Sequence, residues 1–550
     1  MKLIHNGLAD YCSRAQSSFA HGGLCLLLLC SWAGNAAQSG DYTYEVTEST
    51  ITITQYTGHA GGAVIPGTID GMAVTRIGVW AFYKSTGLTN VTLPDTLTRI
   101  GYGAFRGCTG LTSLLLPDSV ATIGDYAFSD CAGLTSLPLP EGVTSIGYGA
   151  FSGCTGLASL TLPGSVTSIA DYAFSDCAGL TSLTLPKTVT SIGHDAFDRC
   201  SGLVSVTIDT PAGGYSFSGL NRLKNVTIGN GVTNVGGFSG CTALTSVTLP
   251  NSVIRIDNAA FQGCIGLTNF TLPSSVTSVG GSAFSGCTGL TGITLPNSVT
   301  RIENAAFQGC TGLTNLALPN SVTSIGDSAF SGCAGLTGIT LPNNVSRIEN
   351  GTLGGCVGLT NITLPDSVAS IGDYAFIGCY RLTSITLPNL VTNIAGFAFY
   401  GCTGLTNIIL PDSLASIGER AFYGCAELAG VNFAGNPPTV GAAVFGDTSK
   451  AIVYYLPGTK RWGPTFGGRP TAMWKPQVRT SDGGFGVRTN EFGFNIAWAS
   501  GRVVAVEASA DPPNAVWYSV GTNTLTGGPS YFSDPQWTNY SARFYRLRWP

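Results

Sequence analysis

Apolar and polar residues alternate in a pattern that recurs through most of the chain, between about residues 60 and 430. In one representative unit, Leu183 and Leu185 alternate with Ser182 and Thr184, which is the two-residue period of a strand with one buried face. Pro186 follows directly, and because proline lacks an amide hydrogen it ends the strand. Each unit therefore begins with a short β-strand.

The remainder of the unit predicts a closed coil. Val189 and Ile192 indicate a second short extended segment, and Gly193 permits the bend after it. Ala196 and Phe197 then place an apolar plug at the end of the coil. A single coil cannot bury such a stripe alone, so we expect neighbouring coils to stack around one continuous core.

Cysteines mark the period of the repeat. Ser85 takes the cysteine position in the first coil, and Leu220 takes it in an irregular gap. The sequence predicts a β-rich solenoid of about 16 coils over residues 83–430, which at the usual strand spacing would be roughly 75 Å long. The cysteines are spaced 23 residues apart within each of two groups: Cys108, Cys131, Cys154, Cys177 and Cys200, then Cys241, Cys264, Cys287, Cys310, Cys333, Cys356, Cys379, Cys402 and Cys425.

We expect this cysteine column to be buried, without disulfides and without metal. Stacked equivalent residues point their Cβ atoms in parallel, which is unfavourable for the near-90° dihedral of a disulfide. Free cysteine is among the most buried residue types. A zinc site would need locally paired cysteines with histidine, and a spacing of 23 residues supplies neither. No cofactor is expected.

Two segments carry a resemblance to a known family. Leu180-Thr-Ser-Leu183-Thr-Leu185-Pro186 and Asp171-Tyr-Ala-Phe174-Ser-Asp-Cys177 are similar to the consensus of the BspA-like leucine-rich repeats, and the resemblance covers roughly residues 42 to 475. It implies a right-handed coil with short parallel strands, an N-terminal β cap at residues 38–82 and a C-terminal cap at residues 431–478. It also implies an exported or cell-surface bacterial protein that binds other proteins or host and matrix components, with no catalytic residues.

The segments outside the repeat predict export and a second module. Lys2 and Arg14 precede an apolar run from Leu24 to Trp32, which predicts a signal peptide over residues 1–37. That run is too short to span a bilayer, and no later segment approaches the required length, so no transmembrane segment is expected. In the N-terminal cap, residues 51–53 and 64–66 predict the strands of a hairpin.

Residues 485–550 predict a small module resembling a β-sandwich. Short β-rich runs alternate there with turn signals, two of which are residues 511–514 and 526–529. Its aromatic residues could form a sugar-stacking platform, but such residues more often form the core of a small sandwich. These residues are Trp498, Trp517, Tyr531, Trp537, Tyr540 and Trp549.

Composition narrows the function classes. Charged residues make up only 10% of the chain, the formal net charge is −4, and no basic stretch stands out, so binding to nucleic acid is not expected. Only His59 and His194 follow the predicted signal peptide, and no glycine-rich phosphate loop is present. Paired surface carboxylates stay open as a possibility, but the sequence predicts no catalytic site.

The coils vary most at the two residues between the Gly bend and the Ala-Phe plug, whereas the outward residues of the leucine strands are nearly uniform, with Thr184 as an example. Exposed Tyr and Asp are typical of recognition surfaces, although a turn that tolerates any residue would also vary. The candidate ligand-binding residues are Tyr102, Asp125, Tyr126, Tyr148, Asp171, Tyr172, His194, Asp327, Asp373 and Tyr374.

The sequence therefore favours a non-enzymatic protein, secreted or at the cell surface, that binds a protein or polysaccharide through its repetitive surface. One alternative is a structural spacer of the cell envelope or matrix, anchored by the C-terminal module. A weaker alternative is an accessory module of a carbohydrate-active enzyme.

Overall fold

The computed structural model describes residues 37–549, apart from residues 60, 490, 500, 511–515 and 526–528. Residues 1–36 of the predicted signal peptide and most of the two predicted turns lie outside the described residues. The chain forms a β-solenoid of about 18 turns, followed by a small module of two sheets. This confirms the predicted repeat solenoid.

Each regular coil contributes one strand, built from its Leu-x-Leu segment, to a series of parallel strands that we call the leucine ladder. Isolated bridges between Ser113, Ser136 and Ser159 continue the ladder where strands are shortest. Its strands are Gly61–Val64, Leu88–Thr92, Ser113–Leu114, Ser182–Leu185, Ser205–Ile208, Asn225–Ile228, Ser246–Thr248, Asn269–Thr271, Gly292–Thr294, Asn315–Ala317, Gly338–Thr340, Asn361–Thr363, Ser384–Thr386, Asn407–Leu410, Gly430–Phe433, Ile452–Tyr455 and Arg469–Met473.

The second extended segment of each coil forms the isoleucine ladder. Its strands also pair in parallel, so that equivalent residues such as Ile146 and Ile169 are direct partners. Its strands are Thr50–Tyr56, Met72–Ile77, Arg99–Ile100, Thr122–Ile123, Ser145–Ile146, Ser168–Ile169, Ser191–Ile192, Asn234–Val235, Arg255–Ile256, Ser278–Val279, Arg301–Ile302, Ser324–Ile325, Arg347–Ile348, Ser370–Ile371, Asn393–Ile394, Ser416–Ile417 and Thr439–Val440.

The caps at both ends are extensions of these ladders. Antiparallel strands Ala37–Ser39 and Tyr42–Thr47 cover Thr50–Tyr56, the first strand of the isoleucine ladder, and Thr68–Ile69 pairs with the next. At the other end, Thr465–Phe466 pairs antiparallel with the last strand of the leucine ladder.

The hairpin predicted from residues 51–53 and 64–66 is wrong. Thr50–Tyr56 pairs antiparallel with Tyr42–Thr47 and parallel with Met72–Ile77, whereas Gly61–Val64 pairs parallel with Leu88–Thr92. The two segments therefore belong to different ladders. The physical reason is that residues 61–82 already have the spacing of a coil, with Phe82 as its plug, so the solenoid begins within the predicted cap.

The core contains a continuous column of plug side chains. Phenylalanine rings stack from coil to coil with centroids 4.7–5.8 Å apart and nearly parallel planes. The column runs from Phe82 to Phe330 and again from Phe376 to Phe445, and buried Leu353 occupies the position between the two sections. This stacking supplies the contacts that hold successive coils in register.

The fourteen cysteines of the repeat lie beside this column, fully buried and as free thiols. Each Sγ donates a hydrogen bond to the backbone carbonyl of the plug residue in the preceding coil, over 3.0–3.3 Å. Burial raises the pKa of Cys108, Cys154 and Cys287 to about 12. Since the thiolate is the reactive form, these thiols are poorly reactive in the folded protein.

Serine and threonine side chains join the coils in the same way. The Thr135 hydroxyl donates to the carbonyl of Thr112, the Thr190 hydroxyl donates to that of Thr167, and Ser165 donates to Val143. The same three kinds of bond recur along the solenoid. Many of the uncharged polar side chains of this protein therefore connect one coil to the next.

The C-terminal module consists of two antiparallel sheets that enclose a small core. One sheet contains Gln477–Arg479, Gly486–Arg488, Glu491–Ala497 and Ser530–Asp534, and the other contains Val503–Ser509, Tyr518–Thr524 and Phe544–Arg548. A short 3₁₀ helix, Trp537–Asn539, follows Ser530–Asp534. The buried residues are Phe494, Ile496, Val504, Val506, Leu525 and Phe532.

The expectation that six named aromatic residues form this core is wrong for most of them. Only Trp498 of the six packs against the buried cluster, and its Nε1 donates to the Trp474 carbonyl over 3.0 Å. Tyr531 and Tyr540 are exposed. Because side chains alternate along a strand, burial of Phe532 places its neighbour Tyr531 outside.

The thiol column leads to a direct prediction. We expect Cys108 to Cys425 in the folded protein to resist alkylation by iodoacetamide at pH 8, and all fourteen to react once the chain is unfolded in guanidinium, because burial suppresses the thiolate. Peptide mass spectrometry after timed alkylation reads each cysteine separately. Rapid alkylation of the folded protein, or cysteines linked as disulfides, would contradict this arrangement.

Candidate functional site

The variable pair of residues in each coil forms one edge of the solenoid, which we call the turn edge. The second residue of the pair has a positive φ of +50 to +61° in every regular coil, whether it is glycine or not. Such a conformation costs a residue with a side chain about 1–2 kcal/mol. It nevertheless occurs at Trp80, Tyr126, Tyr172, Tyr374 and Phe397, so the coil geometry forces bulky side chains into a conformation that they normally avoid.

Six residues of the turn edge form a continuous row, the aromatic ridge: Trp80, Tyr102, Tyr126, Tyr148, Tyr172 and His194. Successive ring centroids lie 5.0–6.3 Å apart, and the ring planes are inclined by 58–78°. The aromatic residue alternates between the second and the first position of the pair from one coil to the next. Adjacent rings therefore contact each other edge to face.

Glycine makes this alternation possible. Where the aromatic residue takes the first position, the second is Gly103 or Gly149. A Cβ at Gly149 would lie only 2.8 Å from Cε1 of Tyr126, and a Cβ at Gly103 would overlap the Trp80 ring. The ring of one coil occupies the space that glycine leaves in the next, so the ridge is a packed structure rather than a series of tolerant turns.

The aspartates of the turn edge connect neighbouring coils. Oδ1 of Asp125 accepts a hydrogen bond from the Tyr148 amide over 2.8 Å, and Oδ1 of Asp171 accepts one from the His194 amide over 2.7 Å. The same bond is made by Asp327, Asp373, Asn258, Asn304 and Asn350. This structural role explains why Asp or Asn occupies the first turn position in seven coils. A role in ligand binding for the four aspartates stays a prediction.

The predicted site residues do not all lie together. Tyr374 belongs to a separate aromatic cluster near the C-terminal end, in which it stacks on Phe397 at 5.0 Å, and Tyr400 stacks on Tyr423 at 5.2 Å. Asp327 lies between the ridge and this cluster, where the second position carries small residues: Ala259, Ser282, Ala305 and Ser328. The structure thus brings together the candidates from Tyr102 to His194 and separates the rest.

Sequence reasoning missed two members of the ridge environment. Trp80 precedes the plug Phe82 by two residues, as Tyr126 precedes Phe128, and counting back from the plug would have identified it. Arg106 lies beside both rings, with its Cζ 5.1 Å from the Tyr126 centroid and 5.9 Å from the Trp80 centroid. No periodic signal marks Arg106, because the same position is serine in the next three coils.

Burial favours the neutral form of two ridge hydroxyl groups. It raises the pKa of Tyr102 and, with a further contribution from Tyr148, raises the pKa of Tyr126. These two phenols of the ridge are therefore harder to ionise than a free tyrosine. At its end, Nδ1 of exposed His194 lies 2.8 Å from Oδ2 of Asp195.

The middle of the turn edge is lined by paired charges. Arg301 lies 3.9 Å from Glu303, and Arg347 lies 2.8 Å from Glu349. A shallow groove of about 400 Å³ lies beside these side chains. Exposed ion pairs of this kind contribute at most about 1 kcal/mol each, and because their charges largely cancel, this region is a weaker candidate than the ridge.

Neither a metal site nor a membrane span is found among the described residues. Within them, no group of three or more His, Cys, Asp or Glu side chains is placed to hold a metal ion. None of the helical segments found there has the length and apolar character of a membrane span.

Comparison with known proteins places these features in a family context. A profile described as the BspA type leucine rich repeat region, with six copies, matches residues 75–204, 123–237, 235–360 and 348–460. A leucine-rich repeat protein from Bacteroides ovatus is 31% identical, with 73% of this chain and 94% of that chain covered and a TM-score of 0.53. No curated protein sequence gives a significant match.

Two further solved structures are similar in sequence or repeat type. A leucine-rich cell surface protein from Faecalibacterium prausnitzii is 30% identical over 69% of this chain and 95% of that chain, with a TM-score of 0.32. The pneumococcal vaccine antigen PcpA is 21% identical over 65% of this chain and 92% of that chain, with a TM-score of 0.34.

The packing of the ridge predicts the effect of filling a glycine. Gly149→Ala should lower the free energy of unfolding by about 1–2 kcal/mol more than Gly351→Ala, because an added methyl group overpacks the Tyr126 ring. At Gly351, which has the same turn position, the new Cβ would meet mainly the Ser328 hydroxyl, which can rotate. Urea unfolding followed by near-ultraviolet circular dichroism measures both variants, and equal effects would contradict a packed ridge.

The hydrogen bond that Asp125 accepts predicts different stabilities for two substitutions at this residue. Asp125→Asn should leave stability nearly unchanged, since asparagine keeps the acceptor that Asn258 and Asn304 supply elsewhere. Asp125→Ala should cost about 1 kcal/mol through the lost hydrogen bond. Thermal unfolding compares the two variants, and a loss of stability as large with asparagine as with alanine would contradict the structural role.

Proposed function

The chain belongs to the BspA-type leucine-rich repeat family, and we propose that it is an exported, non-enzymatic binding protein whose aromatic ridge recognises a protein partner. The observation that carries this proposal is the row of rings from Trp80 to His194, held by strained backbone and interleaved with glycine. Residues held in costly conformations often mark functional positions. Trp and Tyr are also the residues that most often dominate the energetics of protein interfaces.

The inclination of the rings favours a protein over a polysaccharide. A sugar ring stacks on an open aromatic face, whereas the ridge rings cover one another edge to face at 58–78°. The ridge combines aromatic rings with tyrosine hydroxyl groups. Such an amphipathic surface suits the mixed apolar and hydrogen-bonding contacts of a protein interface.

Export is supported by the apolar run from Leu24 to Trp32 after basic residues. The thiol column is compatible with an oxidising compartment, because buried thiols with raised pKa values react slowly. A role without catalysis is supported by the bonds of the residues that could have acted as nucleophiles or bases, because these bonds hold the fold together. The cysteines donate to plug carbonyls, and the turn-edge aspartates accept from backbone amides.

The proposal is tested by replacing ridge residues and measuring binding. The ridge variant combines Tyr126→Ser with Tyr172→Ser. Serine is the natural second turn residue at Ser282 and Ser328, so the fold should be retained. The matched control is Thr184→Ser with Thr207→Ser on the outward face of the leucine ladder. Both variants and the unchanged protein are screened against arrays of exported proteins and glycans, and hits are quantified by surface plasmon resonance.

We expect a protein ligand whose affinity falls about tenfold or more in the ridge variant, in the range of an interface hot spot, and less than twofold in the control. Equal losses in both variants would show that the leucine face binds instead. A glycan as the only ligand would contradict a protein partner, and the absence of any ligand would contradict the binding role.

A structural spacer is the second candidate, and the coil-to-coil hydrogen bonds favour it. Cysteine, serine and threonine side chains connect each coil to its neighbour, which stiffens the solenoid along its length. Fractionation separates the two roles. Retention on washed envelopes that is unaffected by the ridge variant supports the spacer, whereas retention lost in that variant supports binding through the ridge.

A further inference from the structure

We infer that the aromatic ridge contains a binding slot for the guanidinium group of an arginine side chain on the protein partner. The slot, which we call the open slot, lies between Tyr126 and Tyr172 beside Ser152. This inference rests on the proposed function, because it specifies the chemistry of the partner that the ridge would recognise. Its basis is an equivalent slot, one repeat pair earlier, that the chain fills with its own arginine.

The filled slot shows how the ridge binds a guanidinium group. Arg106 lies between Trp80 and Tyr126, with its Cζ 5.9 and 5.1 Å from the two ring centroids. Its Nε is 3.2 Å from Oδ2 of Asp130, which also accepts a hydrogen bond from the Ser129 hydroxyl. Two aromatic rings and one carboxylate therefore hold a single planar cation.

The open slot also has two aromatic rings and one carboxylate, but no arginine lies at the position of Arg106 between the rings. Residues 101–108 and 147–154 have the sequences GYGAFRGC and GYGAFSGC, so Ser152 is the single difference, in place of Arg106. The coils that follow them, residues 125–131 and 171–177, are identical as DYAFSDC. The Ser152 side chain is too short to reach between Tyr126 and Tyr172 as Arg106 reaches between Trp80 and Tyr126.

The ring spacing around the open slot matches that around the filled one, although Tyr126 stands where the filled slot has Trp80. Tyr148 lies 5.2 and 5.6 Å from Tyr126 and Tyr172, and its equivalent Tyr102 lies 5.0 and 5.6 Å from Trp80 and Tyr126. Tyr126 and Tyr172 share the same left-handed backbone, with φ of +54 and +56°. The backbone and ring spacing of the filled slot are thus reproduced.

The carboxylate of the open slot is Asp176, the equivalent of Asp130. Its Oδ2 accepts from the Ser175 hydroxyl over 3.3 Å, as Oδ2 of Asp130 accepts from Ser129. Its Oδ1 is 3.3 Å from Nε of Arg199, which Asp198 also contacts at 3.2 Å. The Oδ2 atom therefore keeps the acceptor capacity that Asp130 uses to bind Arg106.

Arginine fits this arrangement better than lysine. A guanidinium group is planar, so it can stack beside aromatic rings while its edge donates to a carboxylate. A lysine ammonium is a compact, strongly hydrated point charge that cannot make both contacts in the same way. The filled slot uses the first of these chemistries, and an arginine from a partner would do the same in the open slot.

The experiment measures binding of fluorescein-labelled hexa-arginine and hexa-lysine to the full chain by fluorescence anisotropy at low salt. Ser152→Arg fills the open slot with an arginine in cis, as Arg106 fills the first. Ser331→Arg is the matched control, since it adds the same charge at the same coil position where the flanking turn residues are Ala305 and Gly351. Competition with N-acetyl-arginine amide separates a free guanidino compound from an arginine within a peptide.

We expect the unchanged protein to bind hexa-arginine at least threefold more tightly than hexa-lysine. Ser152→Arg should weaken hexa-arginine binding at least fivefold, and Ser331→Arg less than twofold. Arg106→Ser should open the first slot and tighten binding about twofold. If Ser152→Arg fails to fold, the Arg106→Ser result and the comparison of the two peptides still decide the matter.

Equal weakening by Ser152→Arg and Ser331→Arg would overturn the inference, because it would indicate general attraction to an acidic surface. Equal binding of the two peptides would also overturn it. A further contradicting result is that N-acetyl-arginine amide displaces the labelled hexa-arginine at the same concentration as unlabelled hexa-arginine does. That result would assign the slot to small guanidino compounds and overturn a protein partner. The serine variants at Tyr126 and Tyr172 test the binding role separately. If they lose binding of the partner while Ser152→Arg does not, the ridge binds its partner without an arginine.

Discussion

The backbone carbonyl of a plug residue accepts two hydrogen bonds wherever the next coil supplies a cysteine, and this arrangement ties successive coils together along most of the solenoid. The Phe105 carbonyl accepts one bond from the Cys108 amide of its own coil and one from the Cys131 thiol of the next, each over 3.1 Å. The arrangement is kept where the coil length changes: Phe217 and Phe238 are 21 residues apart, yet the Cys241 thiol donates to the Phe217 carbonyl over 3.1 Å and the two rings stack at 5.8 Å. The thiol bond and the plug stack are therefore kept together, and the irregular coil changes length elsewhere.

A fixed register has consequences at the turn edge. The chain must leave the isoleucine ladder and reach the plug within a few residues, which forces the second turn residue into the left-handed region. Glycine would relieve that strain in every coil, yet tyrosine or tryptophan occupies the position at Trp80, Tyr126 and Tyr172. The rings interleave with Gly103 and Gly149, so neighbouring coils are matched to each other, and this matching distinguishes the ridge from the small side chains of the middle coils.

Most of the fold follows from the sequence because every coil repeats the same signals. The alternation at Leu183 and Leu185 and the regular Phe and Cys positions predict the ladders and the core. The cap pairing was missed because residues 51–53 and 64–66 read locally as hairpin strands, and their partners lie in later coils. The structural role of Asp125 and the position of Arg106 also depend on the adjacent coil. A pattern within one repeat cannot reveal a bond that only stacking creates.

The central claim is that stacking holds the turn-edge aromatic residues as one packed, preformed row. Titration of the protein labelled with ¹³Cζ-tyrosine, followed by NMR, tests this most directly at Tyr126. Burial beside Tyr148 raises the pKa of Tyr126, so its phenol should ionise at a higher pH than a free tyrosine, which is about 90% ionised at pH 11. Ionisation of Tyr126 near pH 10 in the folded protein would show that the ring is solvated, and would contradict the packed ridge.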